Sequence, residues 1–422
     1  MKRFISIIVL ILSATPFCLA NEYDHDLANE YDYNLDNKYS NDLANEYDSD
    51  LELTLDSSKI IADTLTTQKG STNALKEWWE SLINGNEDKT FEKKADISFA
   101  FAPYYSQESS FGIGGQLSAL YRLDRKDSIM QPSDFTLMGG GSINGTYTLG
   151  IQGHINWTRS KRMNYVLEFL SQSRDFWGID FNSCADNPAT KVRFNRVNVS
   201  ADYEQRFAGN WFWGAAVRIK YGAIELDKKE YLQGQSTKGF FSGFGFSLVY
   251  DTRDFILNPK KGLLFMFRHI YYPNKLGQNN FDVGYATMQF NAYHPIWKDA
   301  ILAWDFFAET NITDGVLPWQ LREQICYDDR RMRGYYSGSY MDNNQICAQA
   351  EIRQHIYKRF GCVAWAGAGT FFKTFESFNN RQILPNYGAG LRFEMKKNTN
   401  IRVDFGFGRH ASSIIFNFGE AF

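Results

Sequence analysis

The sequence predicts an all-β fold, a sixteen-stranded antiparallel barrel that crosses a membrane. The chain is polar on average, with a mean hydropathy of -0.41, yet 16% of its residues are aromatic. After its first twenty residues it has no run of about 18 apolar residues that could form a spanning helix. From about residue 95 onward, apolar and polar residues alternate with a period of two. This alternation is typical of barrel strands with one lipid-facing and one water-facing side.

The first 94 residues are expected to precede the barrel. Residues 1–20 have a basic start, an apolar run and small residues before a cleavage point, which predicts a secretory signal peptide. Residues 21–56 carry twelve acidic side chains against one lysine, most of them in four octads of the type NEYDHDLA, so we expect a disordered arm. Residues 57–94 form a linker with a short amphipathic helix that would lie on the membrane interface or plug the pore. The apolar side of this helix consists of Leu75, Trp78, Trp79 and Leu82.

Residues 95–422 are predicted to form the barrel. An even number of segments, sixteen, suits a closed antiparallel barrel. Connections after even-numbered segments are mostly short and several after odd-numbered ones are long, so both termini of the barrel should lie in the periplasm and the long loops outside. The clearest alternation, at 400–408, sets Ile401, Val403, Phe405 and Phe407 against Arg402, Asp404 and two glycines. The predicted strands are 96–106, 109–123, 134–144, 147–158, 162–174, 192–206, 211–226, 240–252, 262–273, 281–296, 300–312, 346–356, 360–372, 386–397, 399–410 and 413–422.

The composition of the body argues against several classes of function. Its 42 basic and 36 acidic residues leave +6 over residues 57–422, too weak a charge to predict a nucleic-acid partner. The sequence contains no C-x-x-C, H-E-x-x-H or G-x-S-x-G motif, so we expect no metal, no cofactor and no enzymatic activity. Cys326 and Cys347 bracket part of the longest connection. In an oxidising compartment they could form a disulfide, and the alternative is a pair of unpaired thiols.

The longest connection, 313–345, contains the stretch RMRGYYSG at residues 331–338. A loop that enters a water-filled lumen loses chain entropy, about 1–2 kcal/mol per fixed residue. A guanidinium bonded to a carboxylate of the lumen wall would offset that cost through charge-assisted hydrogen bonds. Gly334 permits a tight turn and Gly338 a close approach. We therefore expect this loop tip to be held inside the barrel, and the alternative is an ordinary external loop.

These residues resemble the BamA/TamA family of outer-membrane assembly and secretion barrels, also called the bacterial surface antigen family. The resemblance covers roughly residues 95–422 and is strongest from 240 onward. It implies that Arg333, Gly334 and Tyr335 match the motif of a sixth external loop that folds back into the lumen. It also implies that Glu351 is an inner-wall partner of Arg333. The position at which the family carries a second acidic partner is Gly367 here, which leaves Glu351 as the main candidate.

The turn after the eighth strand reads YDTRDFILNPKKG and resembles an acid-Arg-Asp motif of the same family. The resemblance implies a structural ion network of Asp251, Arg253 and Asp254 at the periplasmic rim. The alternative is a set of solvated charges with little energetic weight.

The chain stops on an aromatic strand, SIIFNFGEAF, which resembles the targeting signal read by the outer-membrane assembly machinery. The residues of this signal are Phe416, Phe418 and Phe422. They are also consistent with an ordinary lipid-facing strand.

The family's periplasmic polypeptide-binding repeats have no counterpart in residues 21–94. The resemblance therefore implies an accessory role in insertion or transport of proteins or other envelope components, with a periplasmic partner or a client protein. The alternative function is a porin-like or structural barrel in which the loop forms a constriction. The expected location is the outer membrane of a Gram-negative bacterium. The other expected partners are outer-membrane lipids, lipopolysaccharide and, during biogenesis, the assembly machinery.

Overall fold

The computed structural model describes residues 90–106, 110–127, 129–278, 280–327, 330–379, 382–396 and 399–422. The predicted signal peptide, the acidic arm and the short helix of the linker lie outside these residues. Within the described part of the chain, no helix is long and apolar enough to cross a membrane.

Among the described residues, sixteen strands form one antiparallel sheet in which each strand pairs with the next one in this series. The strands are β1 (Asp96–Ser106), β2 (Ser110–Tyr121), β3 (Ser133–Ser142), β4 (Tyr147–Thr158), β5 (Lys161–Phe176), β6 (Thr190–Ala208), β7 (Trp211–Glu225), β8 (Lys238–Asp251), β9 (Gly262–Tyr272), β10 (Val283–Trp297), β11 (Ala300–Thr313), β12 (Asn344–Tyr357), β13 (Phe360–Phe372), β14 (Leu384–Lys396), β15 (Thr399–Gly408) and β16 (Ala411–Phe418).

The connections contain little regular structure. A short helix, α1 (Phe181–Asp186), lies between β5 and β6, and the backbone N–H of Ser183 donates to its capping residue Asp180 at 3.0 Å. Two-residue strands, Glu323–Gln324 and Met341–Asp342, pair with each other inside the connection between β11 and β12. Single 3-10 turns occupy Lys229–Leu232, Asn274–Leu276, Trp319–Leu321 and Phe375–Ser377.

Strands from distant parts of the sheet contact one connection, residues 314–343. β5 and β16 lie eleven places apart in the strand order, and a single connection reaches both only because the sheet curves into a barrel around it. Its partners include Arg174 on β5, Asn198 on β6, Asp305 on β11, Glu351 on β12, Asp404 on β15 and Ser413 on β16. The prediction of a sixteen-stranded barrel with its sixth external loop folded into the lumen is confirmed.

The two faces of the strands differ as the alternation predicts. On β8, Phe244 and Phe246 are exposed on the outside, whereas Ser247 on the inside is buried. On β15, Phe405 and Phe407 point outward and Asp404 is buried in the lumen. An apolar outer surface around a polar interior is the architecture of outer-membrane barrels of Gram-negative bacteria, so the predicted location is confirmed.

The last strand is shorter than predicted. The sequence predicts a strand over 413–422, but β16 ends at Phe418. Gly419 adopts a positive φ of 79°, and its N–H donates to the carbonyl oxygen of Asn400 at 2.7 Å. Because this turn takes the chain out of the sheet, the final residues, Gly419–Phe422, form a short tail.

External connections pack into a hydrophobic cap at the outer mouth. The β5–β6 connection contributes Ile179, the β7–β8 connection contributes Leu232, and the long connection contributes Trp319, all of them buried. The indole N–H of Trp319 donates to the carbonyl oxygen of Ser236 at 2.8 Å. The long connection is therefore held by other loops before it descends into the lumen.

Candidate functional site: the lumen loop and its clasp

Arg333 is the most tightly held side chain of the loop tip, with an exposed fraction of 0%. Its guanidinium donates to a carboxylate oxygen of Glu351 at 2.7 Å and to one of Asp404 at 2.9 Å. The same group lies 3.8 Å from the centre of the Trp365 ring, a cation–π contact. We call Arg333, Glu351 and Asp404 the clasp.

The strand alternation places the clasp residues on the inner wall. Glu351 lies on the inward face of β12, opposite Trp365 of β13 in the strand register. Asp404 lies on the inward face of β15, three strands further along the sheet. Arg333 therefore spans the wall from β12 to β15, and the structure brings it together with Glu351, the partner expected from the sequence.

Asp404 is a partner that the sequence reasoning missed. The family pattern placed the second carboxylate on β13, where Gly367 stands, and the structure supplies it from β15 instead. The signal was present, because Asp404 faces inward in the clearest alternating segment of the chain. The contact with Arg333 could not be predicted, however, because the two residues lie 71 positions apart in the sequence.

Arg331 forms a second anchor of the loop tip, also missed from the sequence. Its guanidinium makes a bidentate pair with Asp305 of β11, at 2.7 and 2.9 Å. It lies over the Phe307 ring at 4.0 Å. Asp305 also accepts hydrogen bonds from the side-chain amides of Asn291 and Gln349, at 2.7 and 3.0 Å. The two arginines thus fix the loop tip to two different parts of the wall.

Glycines let the backbone of the loop tip lie against β15. Gly334 has a φ of +115°, and a Cβ placed on it would come 2.5 Å from the backbone nitrogen of Phe407. A Cβ on Gly406 would in turn come 2.5 Å from the nitrogen of Gly334. Gly338 also has a positive φ, 73°, and packs on the Arg174 guanidinium. The loop tip and the strand therefore meet backbone to backbone.

Tyr335 extends the contact toward the outer end of the wall. Its hydroxyl donates to the carbonyl oxygen of Pro385 at 2.7 Å and accepts from the backbone N–H of Arg409 at 2.7 Å. Its ring packs against Gly408, where a side chain would collide with it. The three residues of the Arg-Gly-aromatic motif therefore each have a distinct place on the wall.

The disulfide considered between Cys326 and Cys347 is not present. Both residues are buried thiols, and no disulfide joins them. Cys326 has a positive φ of 53°. The loop is held instead by the arginine anchors and its packing.

The periplasmic rim contains an ion network that differs from the predicted one. Asp251 accepts two hydrogen bonds from Arg253, at 3.0 and 2.9 Å, and one from Arg162 at 2.8 Å. Arg162 also pairs with Glu204 at 2.7 Å. Asp254 stands outside this network: its carboxylate accepts from the backbone N–H groups of the turn, including that of Lys260 at 2.9 Å. Its role is to fix the turn, because it faces amides rather than a guanidinium.

A second ion pair joins two neighbouring rim turns. Arg159, after β4, donates to both carboxylate oxygens of Asp127, before β3, at 2.6 and 2.8 Å. This hydrogen bonding lowers the pKa of Asp127 to about 2. The carboxylate therefore stays charged at neutral pH and links the two turns.

The predicted targeting residues end up in different environments. Phe416 points outward from β16 and is exposed, and Phe418 is the last residue of that strand. Phe422 lies in the tail, buried against Tyr293 and Ala303 of the barrel wall. Its main-chain oxygen accepts a hydrogen bond from Arg353 at 2.7 Å. The expectation that Phe422 belongs to the last strand is wrong, because Gly419 turns the chain inward.

A cavity of about 1100 Å³ occupies the lumen beside the loop. Polar inward side chains such as Arg196, Lys220 and Glu309 line it. It is also lined by Phe101 of β1 and by Ile414 of β16, which belong to the outer apolar face. β1 and β16 are the two ends of the strand order. The lining of the cavity therefore includes both strands of the seam between the first and last strands.

The backbone is similar to those of several solved structures. BamA from Haemophilus ducreyi, lacking POTRA domains 1–3, matches with a TM-score of 0.47 and 10% identity, over 78% of this chain and 69% of that one. CdiB from Acinetobacter baumannii matches with a TM-score of 0.47 and 9% identity, over 79% of this chain and 66% of that one. Wzi from Escherichia coli, a carbohydrate-binding barrel involved in capsule assembly, matches with a TM-score of 0.32 and 8% identity, over 79% of this chain and 86% of that one. No protein-family model and no curated protein sequence matches the chain.

Proposed function

We propose that this barrel inserts or transports proteins or other envelope components through the seam between β1 and β16. The observation that carries the proposal is that β1 and β16, the two ends of the strand order, both line the polar lumen cavity. A transmembrane strand in transit has one polar and one apolar side, and both kinds of surface meet there. The edges of β1 and β16 also offer backbone groups to which an added strand can pair.

The clasped loop supports passage through the seam rather than straight through the pore. It occupies the lumen and is fixed to β11, β12 and β15, so it ties together the part of the wall that leads to β16. The proposed role is non-catalytic and accessory: a partner or a client protein would supply the recognition that periplasmic repeats supply in the resembling family.

Photo-crosslinking in living cells tests the proposal. We expect a photoreactive phenylalanine analogue at position 101, on the outer face of β1 beside the seam, to capture polypeptides or envelope components in transit. The matched control is the same analogue at Phe246 of β8, because Phe101 and Phe246 are 62% and 54% exposed on the outer face. The proposal predicts specific adducts at position 101 and lipid adducts alone at position 246. Identical adducts at the two positions would contradict it.

Depletion of the protein provides an independent measurement. An insertion or transport role predicts that at least one outer-membrane component falls in amount when the protein is removed. Normal levels of every outer-membrane protein and glycolipid, together with a steady conductance, would instead support the porin-like alternative.

A further inference from the structure

We infer that the clasp and the C-terminal tail are coupled through one closed ring of six alternating charges, so that the loop and the tail stabilise each other's docking. The ring consists of Arg333, Glu351, Arg353, Glu420, Arg392 and Asp404. All six side chains are buried. The inference concerns the protein's own conformational equilibrium and does not depend on what passes through the seam.

The ring can be followed from the loop to the tail along one side. Arg333 bonds to one oxygen of Glu351 at 2.7 Å, and Arg353 donates to the other oxygen at 2.8 Å. The Nε atom of Arg353 lies 3.8 Å from a carboxylate oxygen of Glu420. This last contact is an ion pair without a hydrogen bond, and it is the longest joint of the ring.

The other side closes the ring with shorter contacts. Glu420 accepts from the Nε atom of Arg392 at 2.9 Å. Arg392 donates from a second nitrogen to Asp404 at 2.6 Å, and Asp404 bonds to Arg333 at 2.9 Å. Arg402 is attached to Asp404 from outside the ring, at 2.7 Å.

The six residues of the ring come from three parts of the molecule: the barrel wall, the loop and the tail. Strands β12, β14 and β15 contribute two arginines and two carboxylates, which balance each other. The loop adds one cation, Arg333, and the tail adds one anion, Glu420. The wall thus holds the loop tip and the tail, which have opposite charges, in one buried network. Charges interact more strongly in such a network than in water.

The sign of the coupling follows from those charges. Withdrawal of Arg333 makes the surroundings of Glu420 more negative, which weakens the docking of the tail. It also leaves Glu351 without its second arginine, so that Glu351 draws Arg353 away from Glu420. Reciprocity requires that undocking of the tail weakens the docking of the loop by the same factor by which undocking of the loop weakens that of the tail.

Arg353 connects the two ends a second time. The same guanidinium that bonds to Glu351 donates to the main-chain oxygen of Phe422 at 2.7 Å and lies 5.2 Å from the centre of its ring. The tail follows directly on β16, which is one edge of the seam. A change at the loop tip therefore reaches the seam through a continuous path of buried contacts.

Hydrogen–deuterium exchange of the purified full-length protein in lipid nanodiscs tests the coupling. We expect Arg333→Ala to speed exchange of the tail amides about 5-fold or more, the low end of ordinary couplings between sites. We expect Glu420→Gln, which removes only the charge, to speed exchange in residues 330–338 by the same factor. The control is Arg331→Ala, which removes an arginine of the same loop tip whose carboxylate, Asp305, lies outside the ring. It should loosen the loop around residue 331, leave Arg333 in the clasp and therefore leave the tail unchanged.

Two results would overturn the inference. One is that Arg333→Ala and Arg331→Ala change the tail equally, since the tail would then respond to a change that leaves all six charges of the ring in place. The other is that Glu420→Gln leaves exchange at the loop tip unchanged. The second measurement stands if Arg333→Ala fails to fold, because Glu420→Gln preserves the shape of the side chain.

Discussion

At the scale of single residues, the most consequential feature is a fully buried arginine. A buried cation costs several kcal/mol of desolvation unless its partners are close and well oriented. Arg333 meets that condition with two carboxylates and one aromatic face. Removal of one partner leaves charge uncompensated in a site that water does not reach, so the cost of breaking the clasp should exceed that of an exposed pair.

Glu351→Gln should lower the free energy of unfolding of the barrel by about 3–5 kcal/mol, the usual cost of removing one partner from a buried ion pair. Glu168→Gln is the matched control. Glu168 also pairs with an arginine, Arg196 at 2.8 Å, but its side chain is 30% exposed, so the change should cost roughly 0–1 kcal/mol. Urea unfolding of the two variants in lipid vesicles gives both values. Equal destabilisation would show that the clasp is no stronger than an ordinary lumen pair.

At the scale of elements, β15 is shaped to receive the loop tip. Its inward positions are Arg402, Asp404, Gly406 and Gly408. Asp404 pairs with the charge of Arg333, Gly406 meets the backbone of the loop, and Gly408 meets the ring of Tyr335. Each glycine removes a side chain at the point where the loop lies closest. Because side chains alternate between the two faces of a strand, the phenylalanines of β15 face the lipid and the glycines between them face the loop.

Gly406→Ala should detach the loop tip, because the added methyl group would lie 2.5 Å from the backbone nitrogen of Gly334, and backbone cannot move aside as a flexible side chain can. Overpacking of this kind typically costs about 1–3 kcal/mol. The control, Gly139→Ala on β3, places its methyl group 3.7 Å from its nearest neighbours, an ordinary contact. Protease digestion of intact cells should cut residues 330–338 in the first variant only. Protection of the loop in both variants would contradict the close fit.

At the scale of the whole molecule, the long connection is held both at the outer mouth and inside the lumen. The long connection packs on loops outside the barrel through Trp319 and on the wall inside it through Arg331 and Arg333. It is therefore fixed both above the barrel and inside the lumen. Movement of its tip away from the wall requires release of both arginine anchors.

In planar bilayers, the purified protein should show little steady conductance, and Arg331→Ala/Arg333→Ala should raise it with large fluctuations as the loop leaves the wall. Arg159→Ala, which breaks an ion pair between two rim turns, should leave the current unchanged. A steady open pore in the wild type that the double variant does not alter would favour the porin-like alternative over passage through the seam.

Strand positions and inward faces followed from local sequence alone. All sixteen segments were predicted because alternation is a local property that a pleated strand fixes by geometry. The pairing of Arg333 with Glu351 was implied by the resemblance of the loop motif to the family, and the alternation placed Glu351 on the inward face; the structure confirms the pair. Residues 331–338 were correctly expected inside the lumen for the same reason.

Only the tertiary structure decided which other groups meet. The pairing of Arg333 with Asp404, and of Arg331 with Asp305, depends on how far the sheet curves and at what height the loop enters. Neither quantity is encoded in any local stretch. The inward turn of the tail could not be predicted either. Gly419 permits the turn, but the turn is favourable only because the tail packs against Arg353, Arg392 and Tyr293. Local alternation thus set what each strand presents, and the closure of the barrel set what those side chains touch.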